Sequence, residues 1–212
     1  MNRSRMTIRV LALLAFGAGH VLPAAPVSKT QRIDFPSNCT LRLTNSVGVL
    51  TVEAWDRPDV EIATIASANG VRVAAVRQGD EVVVTTDFPR HRAFSSFDLE
   101  YRIKAPRAAK VIIAHDAGEV NIDGLMGDIQ LTLLQGEIML HLPEEGRYNI
   151  DAKSRFRNVN SDFPGSEKRR WWLLGHFSVN DDAQAAHKLN LRVGFGDIVI
   201  LKTRVPVKAS GL

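Results

Sequence analysis

The chain of 212 residues has one cysteine, Cys39, so a disulfide within the chain is excluded. A free cysteine usually serves as a small buried apolar side chain, and that is the reading adopted for Cys39. An intermolecular disulfide in an oxidising compartment is the alternative. Long apolar runs are missing as well. The best hydrophobic segment, from Val10 to Leu22, has thirteen residues, and an ordinary membrane span needs roughly 20. Beyond it no stretch keeps helical apolar spacing for three turns, and the Ala-rich patches at 105–109 and 183–186 are short and interrupted.

Motifs of chemistry are equally scarce. No serine sits in a Gly-x-Ser-x-Gly elbow and no glycine-rich phosphate loop occurs, which leaves nucleophilic and nucleotide chemistry without a foothold. His91, His115, His141, His176 and His187 show no metal-pair spacing such as His-x-x-x-His. The expectation is therefore no catalytic residue, no cofactor-binding residue and no metal ligand.

What is present begins with Arg3, Arg5 and Arg9, then the apolar segment, then small residues at Ala24 and Ala25. This is the layout of a secretory signal peptide, expected at residues 1–24, with a retained anchor as the alternative. Cleavage would leave residues 25–212 as one exported domain with no membrane span, in the periplasm, on the cell surface or secreted. Three of the 27 basic residues leave with the signal, so 24 face 23 acidic ones and the formal charge falls from +4 to +1. The remaining charges are interleaved. Nucleic-acid binders concentrate positive charge on one face, so nucleic acid is excluded as a partner.

The stretch 115–143 organises the remainder. Gly118-Glu119-Val120-Asn121-Ile122, Gly127-Asp128-Ile129-Gln130-Leu131 and Gly136-Glu137-Ile138-Met139-Leu140 are copies of one unit, with glycines nine residues apart. Each is a glycine, an acidic residue, then apolar residues at every second position, the period of a strand. Similar segments recur from Leu41 onward, separated by glycine, asparagine or aspartate, and Gly196-Asp197-Ile198-Val199-Ile200 repeats the unit as a closing coil or strand. The expected fold is all-β, a single-domain β-solenoid or parallel β-helix-like ladder of short strands. In such a ladder Val120, Ile129 and Ile138 point inward, followed by Ile122, Leu131 and Leu140. Meandering hairpins are the competing arrangement, but only Asp123-Gly124 has the two-residue turn they favour.

The segments at 47–62, 103–131 and 191–200 resemble, in the right order, the bacterial β-strand-repeat family labelled "putative adhesin". The likeness runs over residues 40–202. It implies an exported, solenoid-like protein of uncharacterised biochemical role, and it brings no catalytic residues with it.

Two groups of side chains merit a test as sites. The carboxylates after the glycines would place Glu119 and Glu137 one coil apart on one face, with Asp128 opposite. Neighbouring strands lie about 4.8 Å apart, and two like charges at such a distance in water repel by only about 1 kcal/mol. Solvated turn carboxylates explain them without a cation, since calcium-binding solenoids need a richer Gly-Gly-x-Gly-x-Asp repeat. Asp116, Glu119, Asp123, Asp128 and Glu137 also supply raw material for a carbohydrate-active enzyme, but no defined carboxylate pair stands out among them. The second group is Lys168, Arg169, Arg170, Trp171 and Trp172, a basic and aromatic cluster suited to an anionic glycan or a lipid headgroup surface, or simply a turn leading into a strand. The functional expectation is a non-enzymatic adhesin or cell-envelope scaffold. A sensor or partner-binding module is the first alternative, a carbohydrate-active enzyme the second. The partner expected is an envelope protein or a surface glycan.

Overall fold

The computed structural model describes residues 27–66, 71–89, 99–170, 174–179 and 187–204. The signal peptide expected at 1–24, and Trp171 and Trp172 of the basic and aromatic cluster, lie outside them. Among the described residues there are fourteen strands and no helix, and all the strands join one hydrogen-bonded sheet.

Three long strands form the middle: β2 (Thr40–Trp55), β7 (Lys110–Asp123) and β8 (Ile129–Pro143), paired in parallel in that order. Each bends partway along. On the outer side of β2, its first half pairs with β5 (Glu81–Asp87) and its second with β6 (Leu99–Pro106), both parallel. On the outer side of β8, the halves pair with β13 (His187–Phe195) and β14 (Ile198–Thr203). Those pair in turn with β9 (Tyr148–Ser154) and β10 (Val159–Ser161). The molecule is thus a stack of bent parallel rungs.

Antiparallel strands finish both ends. β4 (Arg72–Gln78) lies on β5, while β3 (Asp59–Ala66) lies on β6 and carries β1 (Val27–Asp34). At the far end β12 (Leu174–Val179) lies on β9 and carries β11 (Ser166–Arg170). β1 is polar along most of its length, with Lys29 and Arg32 exposed. Charge at an edge discourages further strand addition.

The rungs do not follow chain order. β6 slots between β2 and β3, and β13 with β14 slots between β8 and the β9–β10 rung. The unit at 196–200, expected to close the ladder, is therefore one rung in from the end. The outermost rung, β9 with β10, has a looser sequence pattern because it is covered partly by the antiparallel strand β12 instead of by a copy of itself.

Burial explains the bend. In β8 the buried positions are Ile129, Leu131 and Leu133, then Ile138, Leu140 and Leu142: odd numbers before the corner, even after it. β7 makes the same switch, from Val111, Ile113 and His115 to Val120 and Ile122. A straight strand would keep one parity, so the corner rotates the chain and both halves face inward. Both rows belong to one apolar cluster. Each fully buried Leu, Ile or Val is worth about 1.5–3 kcal/mol relative to exposure, so the rows supply the main cohesion of the stack. Val120, Ile129 and Ile138 are buried, as are Ile122, Leu131 and Leu140, as expected from the nine-residue repeat. Cys39 is buried in the same cluster, and burial pushes its thiol pKa up, in keeping with its reading as a core side chain.

Candidate functional site

The corners of successive rungs line up. Gly48 is in register with Gly118, and Gly118 with Gly136. Gly196 abuts Gly136, and all four have positive φ, at 98°, 124°, 139° and 151°. The close stacking leaves no room for a side chain: a Cβ on Gly118 would lie 1.9 Å from the Gly48 carbonyl oxygen, and one on Gly136 1.7 Å from that of Gly118. Glycine is the residue that tolerates both conditions. The result is a bare backbone column along one corner of the stack.

Buried polar groups pin this column at its ends. The His115 ring lies with Nε2 3.0 Å from the Gly48 carbonyl, so Nε2–H donates to it, and the Ser46 hydroxyl, 2.7 Å away, donates to Nδ1. Burial pushes the His115 pKa below its ordinary value, partly offset by the Gly48 carbonyl and by Asp116. Ser46 and His115 resemble a nucleophile and its base, but Ser46 is 0 % exposed and its proton is committed to holding the corner. At the other end Ser154 Oγ donates to the Gly196 carbonyl at 2.7 Å and accepts from the Arg157 amide at 3.0 Å.

The column forms the floor of an open groove of about 1430 Å³. One wall is the residue after Gly118, Gly136 and Gly196. Glu119 is in register with Glu137, and the Ile138 amide donates to the Asp197 carbonyl at 3.0 Å, which places Asp197 on the next rung of the same row. Asp116 lines the groove from the opposite side, beside Ala117 and in the row of Leu134. Among the described residues none of these four carboxylates forms an ion pair, although the Asn158 amide donates to Asp197 at 2.9 Å. The other wall is the residue before each glycine: Val47, Ala117, Gln135 and Phe195. Phe156 continues it onto the outermost rung, with its ring stacked on Phe195 at 4.4 Å and 10°. Phe195 is 54 % exposed, Phe156 38 % and the adjoining Leu134 61 %, so this end of the groove presents an apolar platform to solvent. Arg157 is the cation among the lining residues.

The structure separates the five acids considered from sequence. Asp116, Glu119 and Glu137 line the groove. Asp123 sits beyond the strand centre and pairs with His141 Nδ1 at 2.5 Å, while Asp128, at the turn into β8, accepts from the Lys188 amide at 2.8 Å. Among the described residues no three His, Cys, Asp or Glu side chains gather as a metal site. Lys168, Arg169 and Arg170 lie on β11, the strand at the end of the sheet path, opposite His176, Gly175 and Leu174.

Sequence reasoning missed Phe156, Phe195 and Leu134. Alternation through Leu189, Leu191 and Val193 assigns Phe195 to the core, but the corner turns it outward. Its counterparts one and two rungs away, Gln135 and Ala117, are polar and small, and aligning the units on their glycines would have exposed that position as a surface row.

Comparison with solved structures finds the same fold in a putative cell adhesion protein from Clostridium sporogenes ATCC 15579. The TM-score is 0.51 at 14 % identity, over 84 % of this chain and 100 % of that one. Proteins described as putative adhesins from Bacteroides fragilis NCTC 9343 and Parabacteroides merdae ATCC 43184 also match. Each is 8 % identical, at TM-scores of 0.29 and 0.26, over 84 % and 85 % of this chain and 97 % of each of theirs. At 14 % identity the likeness to the Clostridium sporogenes protein is one of fold alone. No family model and no curated protein matches the chain.

Proposed function

We propose that the chain is an exported, non-enzymatic β-solenoid binding protein of the adhesin type, and that its corner groove holds a glycan of a cell surface. The observation that carries this reading is the exposed, stacked Phe156–Phe195 pair beside a floor with no side chains. A flat aromatic surface exposed to water suits the C–H face of a sugar ring, and carboxylates on the facing wall accept hydrogen bonds from its hydroxyls.

Other features support parts of the reading. The parallel rungs and in-register glycines are what a solenoid requires. The signal-like residues 1–24 speak for export to the cell envelope. The name of the Clostridium sporogenes protein refers to cell adhesion, which agrees with a surface role. Chemistry fares less well, because the serine and histidine that resemble a catalytic pair are sealed beneath the groove. The basic residues Lys168, Arg169 and Arg170, with Trp171 and Trp172 after them, are proposed as a second, weaker contact with the same surface.

The test is binding of the exported protein to an immobilised glycan panel, with the F156A/F195A variant alongside. Binding that falls at least tenfold in the variant, at unchanged thermal stability, supports the groove. Equal binding by both proteins moves the site elsewhere, and the K168A/R169A/R170A variant then tests the basic strand. Retention of an envelope protein with no glycan bound would favour a partner-binding module instead.

A further inference from the structure

The groove has a direction and a period. Its floor and walls repeat once per rung, about every 4.8 Å along the stack, because each rung is a neighbouring strand. An extended peptide lying there would present same-face side chains about every 6.6 Å and fall out of step within two rungs. A pyranose in an extended, unbranched polysaccharide advances by close to one rung per ring. The walls also carry a sign. Among the described residues, Asp116, Glu119, Glu137 and Asp197 stand against Arg157 in the lining and Arg155, 5.7 Å over the Phe156 ring, so acidic charge is in excess: uronates and phosphate-bearing polymers meet repulsion and a polycation meets attraction.

We infer that the groove receives an unbranched polysaccharide of amino sugars with free ammonium groups, lying along the stack with one ring per rung. Successive rings of such a chain turn over, so same-edge ammonium groups recur about every second rung; Glu119 and Asp197, two rungs apart, face two of them, Glu137 lies between, and the Phe156–Phe195 pair takes the C–H face of the ring at the end. This rests on the proposed glycan-binding role of the groove and adds to it the orientation, the repeat and the charge of the ligand. The lack of side chains at Gly48, Gly118, Gly136 and Gly196 is what lets a polymer lie flat across four rungs. Three of the four carboxylates sit on one wall, so alternate rings turn their amino groups toward that wall.

The experiment is calorimetric titration of the full-length protein with β-1,4-linked glucosamine oligomers, from dimer to hexamer. N-acetylglucosamine oligomers, galacturonate oligomers and hexalysine serve as comparisons. Affinity for the glucosamine series is expected to rise with length up to about four rings, one per groove rung, and then to level off. E119Q/E137Q should weaken the glucosamine tetramer by about tenfold or more, and the N-acetylated tetramer, which has only neutral hydrogen bonds to lose at these side chains, several-fold less. Both side chains are exposed, so the variant should keep the wild-type urea midpoint. Equal affinity for the acetylated series, with E119Q/E137Q weakening both series alike, would overturn the amino-sugar assignment while leaving the groove a glycan site. Hexalysine binding as tightly as the glucosamine hexamer would overturn the match of ring to rung. Preference for galacturonate would overturn the charge argument. Failure of every sugar, with F156A/F195A indistinguishable from wild type across a wider panel, would remove the glycan reading itself.

Discussion

At the scale of single residues, the corner glycines are the least replaceable positions in the protein. Gly136→Ala would force a Cβ to within 1.7 Å of a backbone oxygen at a φ of 139°, and neither rung can retreat without losing its own ladder. The expected cost exceeds about 3 kcal/mol, read as a collapse of the urea midpoint, whereas strain alone at a left-handed position costs about 1–2 kcal/mol. Gly79→Ala is the control: its φ is 60° but nothing lies within 4 Å, so its loss should stay near that strain value. His115 supplies a second test, by acid. Burial holds its folded pKa below the ordinary 6.5, so the unfolded chain takes up the proton first and acid favours unfolding through this group. Its contribution is complete above about pH 6.5 and shrinks as pH falls from there through the folded pKa. Wild type should therefore lose stability more steeply below pH 6.5 than His115→Gln does. Parallel pH profiles for the two would show that His115 does not titrate with unfolding.

At the scale of elements, the connection from β9 to β10 shows how a fold contact supports the groove. Ser154 ties the Arg157 amide to the Gly196 carbonyl, and Phe156 lies in the span it closes. Ser154→Ala removes one buried donor and leaves the Gly196 oxygen short of a partner, at a cost of about 1–3 kcal/mol. The same change should weaken ligand binding more than an equal loss of stability placed at the β1 end. Thermal melts and titrations on the two variants check this, and equal binding losses would argue against it. Elements also mark where the sequence was legible. The glycine spacing and the acidic residue after each glycine are local signals, so the inward rows and the stacking of Glu119 on Glu137 could be read from them. The placing of β6 between β2 and β3, and of β13 and β14 inside β9 and β10, rests on pairings between distant segments with nearly interchangeable strand patterns. No local property of residues 189–200 distinguishes an inner rung from an outer one. The apolar platform was hidden for a related reason, since Phe195 keeps the parity of the core until the corner removes it.

At the scale of the whole molecule, the two out-of-order rungs bind the stack into one unit. A chain that laid down its rungs in sequence could lose the last one and keep the others, as linear repeat proteins do. Here the last described segment sits inside the stack, so deleting residues 187–212 would leave the outer edge of β8 and the facing edge of β9 without partners. The truncated protein should show no cooperative urea transition by circular dichroism, and a two-state melt would refute the account. Intact protein should refold slowly, in milliseconds to seconds or longer, because almost every rung closes a long loop.

Gly118 and Gly136 are eighteen residues apart in sequence and one rung apart in space. Eighteen residues therefore act as one digit of a ruler. An added copy between β7 and β8 would lengthen the groove by about 4.8 Å, without altering the strands that finish either end. With a polymer in the groove as proposed, the protein's reach along it would be set by counting units, and a duplication or deletion in the coding sequence would change it in whole steps.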